Sequence, residues 1–229
     1  MNGFAGFGTA LVASGLWFLF LPPQIVPPLI VVCAVAGQLI GLWKLSGTLD
    51  WNKSSNLVSG GLLGVPVGTA MLVSLDPQSV KIVIGVFLLA YSAFQLRGIS
   101  AAIRTAYQDT FLDRCVGFVG GVFGGFAGLS GPFPLIWLQL RGLPPTEQRA
   151  RYQPFNLLIL SFAAMTMAFV GKLDAVLLPF AAVAVPFSLL GAASGVRVFM
   201  SVSESLFQRV VLAILFGSGA IIVTQTVMS

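Results

Sequence analysis

The stretch GGVFGGFAGLSGPFPLIWLQLRGLPP, residues 120–145, places six glycines in its first twelve positions and then prolines at 132 and 134. Its surroundings are apolar enough to sit in lipid. Hydrophobic residues make up 57% of the 229-residue chain and charged residues 8%, against roughly a quarter in soluble domains, so there is too little polar surface to cover a soluble globule. Mean hydropathy is +0.96. The composition is that of an integral membrane protein. Glycine and proline at this density inside a membrane leave backbone groups that lipid cannot satisfy, so the segment must be enclosed by protein or line a watery cavity.

Outward from that stretch the chain divides into eight apolar segments, at about 4–21, 25–45, 55–75, 79–97, 114–141, 152–171, 175–199 and 206–227. The most polar interval, RGISAAIRTAYQDTFLDR at 97–114, lies near the middle and reads as a linker between halves. The halves repeat one another. GFAGFG at 3–8 stands 122 residues before GFAGLS at 125–130, and LPP at 21–23 repeats at 143–145 with the same offset. GVPVG at 64–68 and GAASG at 191–195 match at an offset of 127. The expected organisation is a first repeat over 1–98, a polar linker over 99–113 and a second repeat over 114–229. Apolar residues 115–124 precede the glycine motif of the second repeat, and the matching stretch of the first would fall before Met1. The start MNGFAGFG has no basic leader, so no cleavable signal peptide is expected.

Two readings compete for the glycines. Gly117, Gly121 and Gly125, like Gly120, Gly124 and Gly128, are four apart, a spacing that lets membrane helices pack closely. Packing alone leaves Pro132 and Pro134 unexplained. A helix broken at matching places in two repeats points to a transporter's substrate site, where half-helix N-termini offer unpaired N–H groups and partial positive charge to an anion. Basic residues test the path of the chain. If all eight segments cross, Lys and Arg divide six against six. If the two Gly-rich segments are re-entrant, Lys81 and Lys172 fall on one face and the other ten on the opposite one. The positive-inside rule favours the re-entrant arrangement, with three crossings per repeat and the repeats therefore inverted.

The Gly-rich GFVGGVFGGFAGLSGPFPLIWL, its partner GFAGFGTALVASGL, the GVPVG helix and the duplicated plan together resemble the sulfite exporter TauE/SafE family, also called the 4-toluenesulfonate uptake permease family. The resemblance covers essentially the whole chain. It implies an all-α, polytopic bundle of two homologous repeats in the cytoplasmic membrane that moves small anions such as sulfite or organosulfonates. Carried onto this sequence, its motif positions are Gly3, Gly6 and Gly8 in the first repeat and Gly125, Gly128, Ser130 and Gly131 in the second.

Further candidates come from RARYQPFN, where Arg149, Arg151, Gln153 and Asn156 are expected at the hairpin mouth. The guanidinium fork matches two oxyanion oxygens, although obedience to the positive-inside rule accounts for the arginines equally well. Gln153 and Asn156, three apart, share a helix face. Gln38 is a lone polar residue in the second segment, with interhelical bonding as its ordinary role. Gly131, just before Pro132, is expected to need a conformation that a side chain hinders.

Cys33 and Cys115 form no C-x-x-C and read as small packing residues, so neither a metal nor a cofactor is expected. Nor is nucleic acid, since no dense basic run is interleaved with aromatics. With no histidine and acidic residues assigned to loops, neither an enzyme nor a proton relay is expected. The expected partners are a small anion and the bilayer. A non-transporting assembly or scaffold protein is the alternative, because glycine packing would serve it too.

Overall fold

The computed structural model describes residues 8–45, 50–97, 110–201 and 204–228, with side chains over 10–38, 50–97, 110–190 and 209–228. The described residues form nine α-helices and no strand: α1 (Gly8–Phe20), α2 (Val26–Leu45), α3 (Trp51–Ser74), α4 (Pro77–Leu96), α5 (Thr110–Ala127), α6 (Pro132–Leu140), α7 (Pro145–Phe169), α8 (Leu177–Ser201) and α9 (Glu204–Met228). Seven correspond to apolar segments of the sequence, and the remaining segment, 114–141, divides into α5 and α6. Among the described residues, Trp51–Ser74, Pro77–Leu96, Pro145–Phe169 and Arg209–Met228 are each long and apolar enough to cross a membrane. Leu63, Val67, Phe94, Phe187 and Leu190 project from the bundle, the outward apolar surface a bilayer requires. The chain is a multi-pass membrane protein.

Contacts between helices fix their directions. Gly60, Gly64 and Gly68 of α3 face the carbonyls of Arg114, Phe118 and Val122, a constant separation in sequence, so α3 and α5 run parallel. Ser54 Oγ donates to the Arg151 carbonyl at 2.7 Å, and Thr69 Oγ1 meets Thr166 Oγ1 at 2.9 Å, so α3 and α7 are also parallel. By contrast α4 and α9 are antiparallel: Gln78 Nε2, at the start of α4, donates to the Thr226 carbonyl at the end of α9, and Gly85 lies against Gly219. Short connections order the rest. Calling the end where α3 begins the lower end, α1, α3, α5, α7 and α9 run upward and α2, α4 and α8 downward.

The glycine stripe on α5 settles one of the two readings. A methyl on Gly117, Gly121 or Gly125 would fall on the Leu57, Gly61 or Val65 carbonyl of α3, while one on Gly60, Gly64 or Gly68 would fall on α5 backbone. Both helices have shed side chains along one seam, and their backbones touch. Where the apolar effect gives helices no reason to associate, such close van der Waals contact is what holds them together. Pro66 stands on the exposed side of α3, where its missing donor leaves the seam intact.

Candidate functional site

Between α5 and α6 the chain opens over residues 128–131. Gly128 ends α5 with φ +71°, its N–H bonded to the Gly124 carbonyl, and Leu129 N–H reaches back to the Phe123 carbonyl. A side chain at Gly128 would also press on Ile30 and Val31 of α2. The conformation that excludes side chains therefore belongs to Gly128. Gly131, expected to hold it, has φ −74° and ψ −36°, ordinary right-handed backbone, because the chain reverses one residue past α5 and has already turned when it meets Pro132.

The segment then folds back. Arg141, just past α6, places Nη1 3.1 Å from Oδ1 of Asp113 in the first turn of α5, and Trp137 Nε1 donates to the same oxygen at 2.6 Å. Entrance and exit of the segment thus meet at the lower end. Both ionic side chains are more than nine-tenths buried, at 4% and 7% exposure. This latch was missed in the sequence because Asp113 was assigned to a loop; it is a buried residue inside α5.

At the tip of the hairpin, Ser130 Oγ donates to Asn156 Oδ1 at 2.9 Å. Both residues are buried, and Asn156 Nδ2, with two N–H donors, has no protein partner. Such an atom normally costs about 1–3 kcal/mol. Asn156 is the twelfth of the twenty-five residues of α7, so this amide sits near the middle of the bundle. Pro132 and Pro134 contribute no donors, leaving the N–H groups of Ser130, Gly131 and Phe133 around the first turn of α6, where the helix dipole is positive. Gly120 and Gly124 make room here: a methyl on either would crowd Ser130, together with Phe155 or Ile159 of α7. The α5 glycines therefore serve two faces, Gly117, Gly121 and Gly125 packing on α3 while Gly120 and Gly124 admit the break.

Below lies a cavity of about 190 Å³, lined by Asn52, Lys53, Asn56, Asp113 and Arg151. Arg151 is 7% exposed; its Nη2 bonds Glu147 at 3.3 Å, and its Nε has no partner. Arg149 instead turns to Gln153, its Nε 3.2 Å from Oε1. Of the four polar residues expected at the mouth, Arg151 reaches the cavity and Asn156 the break, whereas Arg149 and Gln153 bond each other. Asn52, Lys53 and Asn56 carried no signal in the sequence, since only the parallel packing of α3 on α7 brings them there. Asp50, which caps α3, has its carboxyl held below the usual range by bonds from the Lys53 backbone and side chain. Gln38 is buried on α2. Gly3 and Gly6 lie outside the described residues, and Gly8 opens α1.

A helix opened at mid-bundle presents backbone donors where neither lipid nor a packed apolar core can use them, and membrane carriers build substrate sites in this way. The fold fits a membrane transporter. The chain belongs to the sulfite exporter TauE/SafE family, which it matches over residues 1–222. It is also similar to the probable sulfite/organosulfonate exporter TauE of Cupriavidus necator, with 28% identity over 222 residues, covering 94% of this chain and 85% of that protein. No solved structure matches.

Proposed function

We propose that this protein is a secondary transporter that exports a small sulfur oxyanion, sulfite or an organosulfonate, across the cytoplasmic membrane, binding it at the break between α5 and α6. The unpartnered Asn156 amide nitrogen, buried beside the first turn of α6, carries the reading. Ser130 holds the carboxamide so that its N–H groups are presented; Gly128 makes the turn and Gly131 offers a backbone donor beside it, while Gly125 seats α5 on α3; Arg151 draws the anion into the lower cavity. Gly3, Gly6 and Gly8 are the matching motif positions of the first repeat in the sequence.

We further infer two inverted repeats, 1–98 and 114–229, joined by 99–113. The 122-residue offset pairs α1 with α6 and α2 with α7, the 127-residue offset pairs α3 with α8 and α4 with α9, and the members of each pair run in opposite directions. The antiparallel contact of α4 with α9 is what a twofold axis in the membrane plane produces. The meeting of Asp113 with Arg141 supports a re-entrant path for α5 and α6, and the lower end then faces the cytoplasm, with Lys81 and Lys172 outside. An inside-negative potential favours anion exit by about 2.3 kcal/mol per charge per 100 mV, so export needs no coupling ion.

Flux from proteoliposomes under an imposed potential tests the function. Sulfite or methanesulfonate should move toward the positive side faster than acetate. A purified, folded protein that moves neither sulfur anion under any potential contradicts it and favours the scaffold alternative.

A further inference from the structure

At the upper end, opposite the Arg151 cavity, a second cavity of about 410 Å³ is lined by Pro23, Pro77, Gln78, Lys81, Gln225 and Thr226. Three separate elements build it: the turn between α1 and α2, the first turns of α4 and the last turn of α9. The bond from Gln78 Nε2 to the Thr226 carbonyl, 2.9 Å, ties two of its walls together. Lys81 is half-buried in it, and no carboxylate among the described residues pairs with its ammonium. The upper aspartates among the described residues are engaged elsewhere. Asp76 accepts from the backbone N–H groups of Gln78 and Ser79 and from Ser79 Oγ, and Asp174 accepts from Leu177 N–H. Lys81 thus brings three donors and a positive charge to a cavity otherwise walled by prolines, amides and a hydroxyl, large enough for a hydrated oxyanion. With α3 spanning about 36 Å between the two ends, this cavity and the lower one are separated by roughly the thickness of a bilayer.

We propose that the Lys81 cavity is a second anion site, an outer vestibule that holds one small oxyanion in exchange with the external solution. The identity of that anion rests on the transport reading above; the site itself rests on the cavity and on a lysine that no described carboxylate pairs. A phospholipid headgroup shares the chemistry of a free oxyanion, so the test must separate the two sources.

In phosphatidylcholine vesicles, an impermeant N-hydroxysulfosuccinimide ester is used to label Lys81, with Lys172 on the same face as internal control. Sulfite should slow labelling of Lys81 and leave Lys172 unchanged. In flux, Lys81→Gln should raise the half-saturating sulfite concentration for entry from the Lys81 face roughly tenfold, the scale of one lost charge-assisted hydrogen bond, while the value from the Arg151 face stays the same. Equal slowing of both lysines means ionic screening and overturns the proposal. So does Lys81 labelling that phosphatidylglycerol slows without sulfite and that sulfite slows no further, which assigns the cavity to lipid. Selective protection of Lys81 without any flux retains the vestibule and removes the transport reading; flux with Lys81 unprotected and Lys81→Gln unchanged does the reverse.

Discussion

Asn156 and Ser130 divide the work at the break. The serine proton goes to the asparagine oxygen, so Ser130 positions the amide and leaves its nitrogen unpartnered, the group proposed to meet the anion. Ser130→Ala should therefore leave the protein in the membrane, with stability lowered by about 1–3 kcal/mol because the buried Asn156 oxygen loses its donor, and weaken sulfite binding about two- to tenfold, the scale of one neutral positioning bond at roughly 0.5–1.5 kcal/mol. Isothermal titration beside a melting curve checks both halves. Gly128→Ala should act through the backbone: the left-handed backbone costs an ordinary residue about 1–2 kcal/mol, and the methyl meets Ile30 and Val31, so stability and activity should fall together. Asn156 was legible in the sequence as a polar residue near the start of an apolar segment, expected at the hairpin mouth. Its bond to Ser130 was not, because no periodicity within α7 says which side of the hairpin tip it meets.

The α5–α6 hairpin is held at its tip by packing and at its base by charge. Arg141 and Asp113 are both removed from water, and deleting one leaves the other buried without its partner, at a cost of about 3–5 kcal/mol. Arg141→Met should thus lower the melting temperature sharply, and the double variant Arg141→Met with Asp113→Leu should recover much of the loss, as a thermal series on the purified proteins would show. The α3–α5 seam tolerates still less. Gly121→Val places side-chain atoms on the Gly61 carbonyl, and separating two backbones should exceed the about 1–3 kcal/mol of ordinary overpacking, with poor membrane yield as its readout. Helix breakers and glycine spacing made the broken segment and one close-packed face readable. The latch escaped because an aspartate near a polar linker looks solvated until tertiary folding buries it, and the Lys53 side of the cavity because it depends on which helices neighbour one another.

Over the whole molecule, charge counting and helix direction agree. Lys53, Arg97, Arg114, Arg141, Arg149, Arg151 and Arg209 stand toward the lower end, with Lys44 and Arg197 near the lower ends of their helices, while Lys81 and Lys172 stand at the upper. Single cysteines at 81, 104 and 172, with Cys33 and Cys115 replaced by alanine, give the check: an impermeant thiol reagent on intact cells should label 81 and 172 and spare 104. Labelling of 104 alone, or of 81 and 104 equally, contradicts the re-entrant topology. The two offsets in the sequence suggest the proposed inverted plan, and GVPVG of α3 and GAASG of α8 lie at corresponding places in helices of opposite direction. They could not indicate which helices pack, because α5 joins the seam with α3 through backbone contact rather than side-chain pattern. The most direct measurement on the transport account is equilibrium sulfite binding to purified Asn156→Asp protein, with melting followed in parallel. The carboxylate keeps the shape of the amide and still accepts from Ser130, but it lacks the N–H donors and repels an anion. Asn156→Asp should still fold, with melting lowered by the cost of a buried carboxylate, and its sulfite affinity should fall by about a hundredfold or more; parental affinity in a folded Asn156→Asp protein would contradict the site.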